Sequence, residues 1–129
     1  MLSSRTILIV DNNSYLAIDL SDAIQDSDGV AAGPVSTVSE TLSMIDNFEI
    51  AGAVVDYDLA EASAVIAELT DRAIPVVGHS NLGTPSAGGK GNVLVRPVLP
   101  RDLLDLLLFE MGKADAESSP MLAKRTKKD

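Results

Sequence analysis

Short apolar segments alternate along the chain with segments of helical periodicity. In the first helical segment Leu16, Leu20 and Ile24 recur at a spacing of four, which places them on one face of a helix. The apolar segments are rich in Val, Ile and Ala and are short enough to be strands. The predicted strands are residues 6–10, 30–35, 51–55, 74–77 and 93–95. The predicted helices are residues 14–25, 61–72 and 100–111, together with a helix that begins at the capping box of residues 37–40. Gly112 is the predicted stop of the last helix.

Strands that alternate with helices predict the α/β class: a three-layer sandwich with a five-stranded parallel sheet. The near-continuous apolar strands agree, because parallel strands are buried on both faces. Pro34 cannot donate a ladder hydrogen bond, which predicts that the second strand is an edge strand. Residues 80–91 hold four Gly and one Pro where a helix is expected, so we expect a loop there and a fourth helix that is degenerate or missing.

The length of 129 residues favours one domain, which we assign to residues 1–112, followed by a flexible basic tail at residues 113–129. Residues 1–112 hold 5 basic and 16 acidic side chains, so we expect no nucleic-acid partner. The apolar runs are too short to cross a bilayer, so we expect no membrane partner and a cytoplasmic protein. The absence of cysteine excludes a disulfide framework.

Polar residues follow the predicted strands at the points where the strands end. In a parallel sheet these carboxyl ends meet at one edge, where ligands bind. Clustered carboxylates are the ligands of a hard cation such as Mg²⁺, and an Asp carboxylate can attack a phosphoryl group to form an aspartyl phosphate. The candidate residues are Asp11 and Asn12 after the first strand, Asp56 and Asp58 after the third, Ser80 after the fourth and Arg96 after the fifth.

Helix capping is the alternative explanation for several of these residues. Asp11 or Asn12 could cap the first helix, and Asp58 with Glu61 three residues later could cap the third. Asp56 is a weaker candidate for the capping residue, because Asp58 lies nearer to the predicted helix. Asp56 is therefore the strongest functional candidate.

Four segments together resemble the signature regions of two-component response-regulator receiver domains. The resemblance covers about residues 5–110, and it implies the strand order 2-1-3-4-5 of the flavodoxin-like receiver fold. The segments are Ile7-Leu8-Ile9-Val10-Asp11-Asn12, Ala53-Val54-Val55-Asp56, the run from Ile74-Pro75-Val76-Val77 to Ser80, and Val95-Arg96-Pro97.

The resemblance also implies roles for single residues. Asp56 matches the phosphoacceptor, and Asp11 matches the first of two acids that hold Mg²⁺ together with the Asp56 carboxylate and the backbone carbonyl of Asp58. Ser80 matches the hydroxyl residue that senses the phosphoryl group. Pro97 matches a proline that commonly follows a cis peptide bond.

Two residues depart from the family pattern. Asn12 replaces the second metal-binding acid, which predicts weak or absent Mg²⁺ binding, and Arg96 replaces a lysine at the phosphate-sensing position. The chain is then either a phosphoacceptor in a phosphorelay or a degenerate receiver that works through protein–protein interaction. The expected partners are a sensor histidine kinase or a phosphotransfer protein and a downstream target protein, and enzymatic activity beyond turnover at Asp56 is not expected.

An enzyme remains a rival interpretation. Asp56-Tyr57-Asp58 after an apolar strand also fits the motif of haloacid-dehalogenase-like phosphatases, although that motif normally follows the first strand. His79, the only histidine, has no evident acidic partner in the sequence, and we expect it to line the loop.

The last helix has too few polar positions for a helix with one buried face. One explanation is deeper burial of this helix under the C-terminal tail. The other, which is our hypothesis, is an exposed apolar surface that includes Leu104, Leu106 and Leu108 and that binds a partner or a second copy of the chain in a homodimer.

Overall fold

The computed structural model describes residues 2–80, 93–95 and 98–118, with the backbone alone for residues 114–118. Most of the 80–91 loop, Arg96, Pro97 and residues 119–129 therefore lie outside the described residues, and the division into a domain and a tail remains a prediction. Within the described ranges the elements are β1 (Thr6–Val10), α1 (Ser14–Asp26), β2 (Val30–Val35), α2 (Val38–Asn47), β3 (Ile50–Asp56), α3 (Ala62–Asp71), β4 (Val76–Ser80), β5 (Val93–Val95) and α4 (Pro100–Ser118).

The five strands form one parallel sheet in the order β2-β1-β3-β4-β5. This confirms the predicted fold class and strand order, and it places β2 with Pro34 at an edge. The pairing of β1 with β2 shifts register between Leu8 and Val10. Gly33 lies beside this irregularity with a φ of +99°, and a Cβ there would lie 2.7 Å from the carbonyl oxygen of Ile9. Glycine therefore permits the close approach of the two strands.

Helices cover both faces of the sheet, and the alternation of side chains along each strand divides the core into two layers. The layer between the sheet and the helices α1 and α4 contains the buried side chains of Leu2, Ile7, Ile9, Leu20, Ile24, Val54, Val77, Leu103 and Leu107. The layer between the sheet and the helices α2 and α3 contains the buried side chains of Leu8, Val10, Ala53, Val55, Val65, Leu69 and Val76. Both layers bury strand residues, which explains the near-continuous apolar strands.

The capping box at the start of α2 is present. The side chain of Thr37 accepts a hydrogen bond from the backbone N–H of Glu40 at 3.1 Å, and Oε1 of Glu40 accepts one from the backbone N–H of Ser36 at 2.9 Å. The Ser36 amide holds the pKa of the Glu40 carboxyl below its usual value. The predicted start of this helix is therefore correct.

Two predicted boundaries are wrong. The last helix does not stop at Gly112 but continues to Ser118. Gly112 lacks the positive φ of a helix-terminating glycine, and the residues after it, mostly Lys, Ala and Glu, favour a helix. The fourth strand is Val76–Ser80 rather than residues 74–77, because Ala73 turns the chain with a φ of +58° and Pro75 has no N–H.

No helix in the described part of the chain combines the length and the apolar character that crossing a membrane requires.

Candidate functional site

The carboxyl end of β1 places a buried carboxylate at the edge of the sheet. Asp11 is 3% exposed, and its backbone N–H donates to the carbonyl oxygen of Val35 at 2.8 Å. Its Oδ1 accepts the backbone N–H of Asn13 at 2.8 Å. Asn12 is exposed. Asn13, rather than Asp11 or Asn12, caps α1, because its side-chain oxygen accepts the N–H groups of Tyr15 and Leu16.

His79 is the partner of Asp11. Its Nε2 lies 2.9 Å from Oδ2 of Asp11, and both side chains are 1% exposed. A carboxylate only accepts, so the Nε2–H donates, and the buried Nδ1 has no partner among the described atoms. The expectation that His79 lines the loop is therefore wrong: it is an inner residue of β4, 68 positions away from its acid. The available signal was that a buried polar residue needs a partner.

Asp56 is the last residue of β3 and is 6% exposed. Its Oδ1 accepts the backbone N–H of Asp58 at 2.9 Å. In the sheet register, Asp56 lies beside His79 of β4, and the preceding Val55 lies beside Val10 of β1. The three strand ends therefore meet as the sequence predicts.

Ser80 and Asp58 form the second side-chain contact of this edge. The Ser80 hydroxyl donates to Oδ1 of Asp58 at 2.8 Å, and the Ser80 side chain is buried. Asp58 does not cap α3, so that alternative is wrong. Residue Glu61 precedes the helix without a capping hydrogen bond, and its Oε1 instead accepts the N–H of Val38 at the start of α2, at 2.9 Å.

Tyr57 lies between the two aspartates, with its side chain toward the α2 and α3 layer. Its ring packs directly over Gly78, where a Cβ would overlap the ring atoms. Its backbone N–H donates to the carbonyl oxygen of His79 at 2.9 Å, which continues the ladder between β3 and β4 past Asp56. Burial raises the pKa of the Tyr57 phenol above 10.0.

The arrangement of the described side chains fits a Mg²⁺ site poorly. Mg²⁺ requires an octahedron of oxygen ligands at about 2.0–2.1 Å. Both oxygens of Asp11 already accept N–H groups, from Asn13 and His79. Among the described residues there is also no group of three or more His, Asp or Glu side chains that could hold a metal. The edge is a hydrogen-bonded cluster in which donors contact both oxygens of Asp11 and one oxygen each of Asp56 and Asp58.

The prediction that Leu104 belongs to an exposed apolar surface of the last helix is wrong. This side chain is 3% exposed and belongs to the core under α1 and α4, while Leu106 and Leu108 are partly buried against the same core. The exposed apolar side chain of this helix is Phe109, at 64% exposure, with the Lys113 ammonium 5.3 Å from its ring centre. The α4 helix buries a wider face than the sequence pattern suggested.

Comparisons with known proteins give the same architecture. No protein-family model matches the sequence, and a search of curated proteins finds no match. Solved structures do match. A CheY-like response regulator receiver domain protein from Methanospirillum hungatei has a TM-score of 0.72 at 18% identity, over 90% of this chain and 100% of its own. The chain has the receiver fold.

Two further receiver-fold structures show how far the likeness extends. A response regulator receiver protein from Sinorhizobium medicae matches with a TM-score of 0.68 at 21% identity, over 88% of this chain and 99% of its own. The response regulator PhyR from Brucella abortus matches with a TM-score of 0.73 at 18% identity over 89% of this chain, which spans 52% of that longer protein. At these identities the likeness concerns the fold, and the site must be interpreted from its own residues.

Proposed function

We propose that the chain is a receiver-type signal-transduction module that acts by binding a protein partner and does not depend on Mg²⁺-assisted phosphorylation. The receiver fold supports a signalling role. The observation that carries the proposal is the hydrogen bond from Ser80 to Asp58. The resemblance to receiver domains implies that the Ser80 hydroxyl binds the phosphoryl group. In this chain the hydroxyl already donates a hydrogen bond to the Asp58 carboxylate.

Electrostatics support the same proposal. A phosphoryl group on Asp56 would add negative charge. Asp56 already lies at an edge that carries the Asp11 and Asp58 carboxylates. A like charge added next to carboxylates is unfavourable unless a cation neutralises it. We propose that Mg²⁺ binding is weak or absent, because both oxygens of Asp11 already accept N–H groups.

Phosphate acceptance at Asp56 is the second candidate. It is favoured by the position of Asp56 at the end of the central strand, with Ser80 on the neighbouring strand. In that case the phosphate donor is a sensor histidine kinase or a phosphotransfer protein, and the output passes to a downstream target. Under either candidate the expected compartment is the cytoplasm.

The two candidates differ in one measurement. The full chain is incubated with acetyl phosphate and Mg²⁺ and then analysed by intact mass, with Asp56→Asn as the control. We expect no mass gain in either protein. A gain of one phosphoryl group in the wild type that is missing from Asp56→Asn would overturn the proposal in favour of phosphate acceptance. Turnover of a generic phosphoester in the same sample would favour the phosphatase interpretation instead.

Self-association is also proposed, and the structure changes the residue that tests it. Leu106→Glu would place a charge against the core, because Leu106 packs partly on it. Phe109 is exposed, so Phe109→Glu removes an apolar contact surface without entering the core. For a homodimer formed through α4, light scattering shows a dimer for the wild type and a monomer for Phe109→Glu. A wild-type monomer at all concentrations contradicts the homodimer.

A further inference from the structure

The buried pair of Asp11 and His79 joins two strands that are not neighbours in the sheet. Asp11 follows β1 and His79 belongs to β4, with β3 between them. The Nε2 to Oδ2 distance of 2.9 Å and the 1% exposure of both side chains make this a specific buried hydrogen bond rather than a surface contact. This hydrogen bond between Asp11 and His79 crosses the end of β3, where Asp56 lies.

We infer that His79 takes the place of a cation at Asp11 and thereby closes the metal site that the fold would otherwise offer. The inference rests on the proposed function and explains how this edge of the sheet dispenses with Mg²⁺. It predicts that the Asp11 carboxylate becomes available to a divalent cation when the His79 donor is removed.

Distances support the substitution of a cation by an N–H group. In a hydrogen bond of this length the hydrogen lies about 1.9–2.0 Å from the acceptor oxygen. A Mg²⁺ ion would lie about 2.0–2.1 Å from the same oxygen. The Nε2–H hydrogen and an ion would therefore approach Oδ2 of Asp11 to nearly the same distance. The other oxygen, Oδ1, is engaged by the N–H of Asn13, which begins the turn into α1.

The charge of the site favours the N–H group over the ion. Asn12 is neutral and exposed, so a cation would meet two carboxylates, those of Asp11 and Asp56, rather than three. Mg²⁺ loses its water ligands reluctantly, and two carboxylates compensate less of this free-energy cost than three do. A buried carboxylate still needs a partner, and a single ring N–H supplies one without dehydrating an ion.

A matched set of His79 variants tests the inference. His79→Val removes the donor, whereas His79→Gln keeps an N–H group near the Nε2 position and serves as the control. The probe is Mg²⁺ alone, followed by isothermal titration calorimetry and by the midpoint of thermal unfolding, with NaCl of equal ionic strength as the blank. Because binding to the folded state raises the midpoint, a variant with an open site is stabilised by Mg²⁺.

We expect His79→Val to bind Mg²⁺ at least about tenfold more tightly than the wild type and than His79→Gln. Adding Asp56→Asn to His79→Val should abolish that gain. Equal Mg²⁺ affinity in the wild type and His79→Val, or a gain that His79→Gln shares, overturns the inference. A folded His79→Val that binds no Mg²⁺ also overturns it.

A second variant covers the case in which His79→Val does not fold. Asn12→Asp restores an acid beside Asp11 and leaves His79 in place. We expect its Mg²⁺ affinity to stay close to that of the wild type, because His79 still occupies Asp11, and a gain of about tenfold or more overturns the inference. The proposed function fails on a different readout, namely phosphoryl transfer to wild-type Asp56, so the two failures are distinguishable.

Discussion

The hydroxyl of Ser80 donates a hydrogen bond of 2.8 Å to Oδ1 of Asp58, and this contact joins the end of β4 to the loop that follows β3. Ser80 is 2% exposed, whereas Asp58 is exposed. The backbone N–H of Asp58 in turn donates to Oδ1 of Asp56. The buried Ser80 hydroxyl is therefore linked to the Asp56 carboxylate through Asp58.

Removing the Ser80 hydroxyl should lower the free energy of unfolding. We expect Ser80→Ala to cost about 1 kcal/mol, because a hydrogen bond to a carboxylate is lost at a partly buried position. Urea unfolding followed by circular dichroism measures the change. In a double-mutant cycle with Asp58→Ala, a coupling energy near zero would show that the contact contributes nothing to stability.

The order of strands and helices could be predicted from the sequence because apolar periodicity reflects burial directly. The edge position of β2 followed from the missing N–H of Pro34, and the start of α2 followed from Thr37 and Glu40. These features depend on neighbours within a few residues. The convergence of Asp11, Asp56 and Ser80 followed from the rule that parallel strands end at one edge.

The contacts within the site could not be predicted in the same way. The pairs of His79 with Asp11 and of Ser80 with Asp58 join residues that are 68 and 22 positions apart. Which donor turns to which carboxylate depends on the side-chain packing at the end of the sheet. The α4 helix was misjudged for a related reason: Leu104 is covered by the core that α4 shares with α1, and its own sequence does not reveal that cover.

Gly78 should tolerate no side chain. A Cβ at this position would overlap the Tyr57 ring and lie 2.5 Å from the carbonyl oxygen of Val55. We expect Gly78→Ala to lower the free energy of unfolding by about 1–3 kcal/mol, as overpacking in a core does. Chemical unfolding measures this effect. Replacing Tyr57 by Leu in the same chain should recover part of the loss and not all of it, because the Val55 backbone cannot move away.

Gly112 should respond to the same substitution with the opposite sign. It lies within α4, it is exposed, and a Cβ there would meet nothing within 4 Å. Alanine is favoured over glycine in a helix interior by about 0.8–1.0 kcal/mol, so we expect Gly112→Ala to stabilise the chain by up to about that amount. A destabilised Gly112→Ala, measured by the same unfolding assay, would contradict the continuation of α4 through this residue.

The buried phenol of Tyr57 should make stability depend on pH in the alkaline range. Burial raises the pKa of Tyr57 above 10.0 in the folded state, since it disfavours the charged phenolate. The unfolded chain then releases this proton at a lower pH than the folded chain does. The contribution of Tyr57 to stability is therefore fully present below pH 10.0 and is lost as the pH rises through the higher folded value. Unfolding free energies measured across this range should fall more steeply for the wild type than for Tyr57→Phe, which has no titrating phenol at this position. Parallel curves for the two proteins would show that the ring does not titrate from a buried environment.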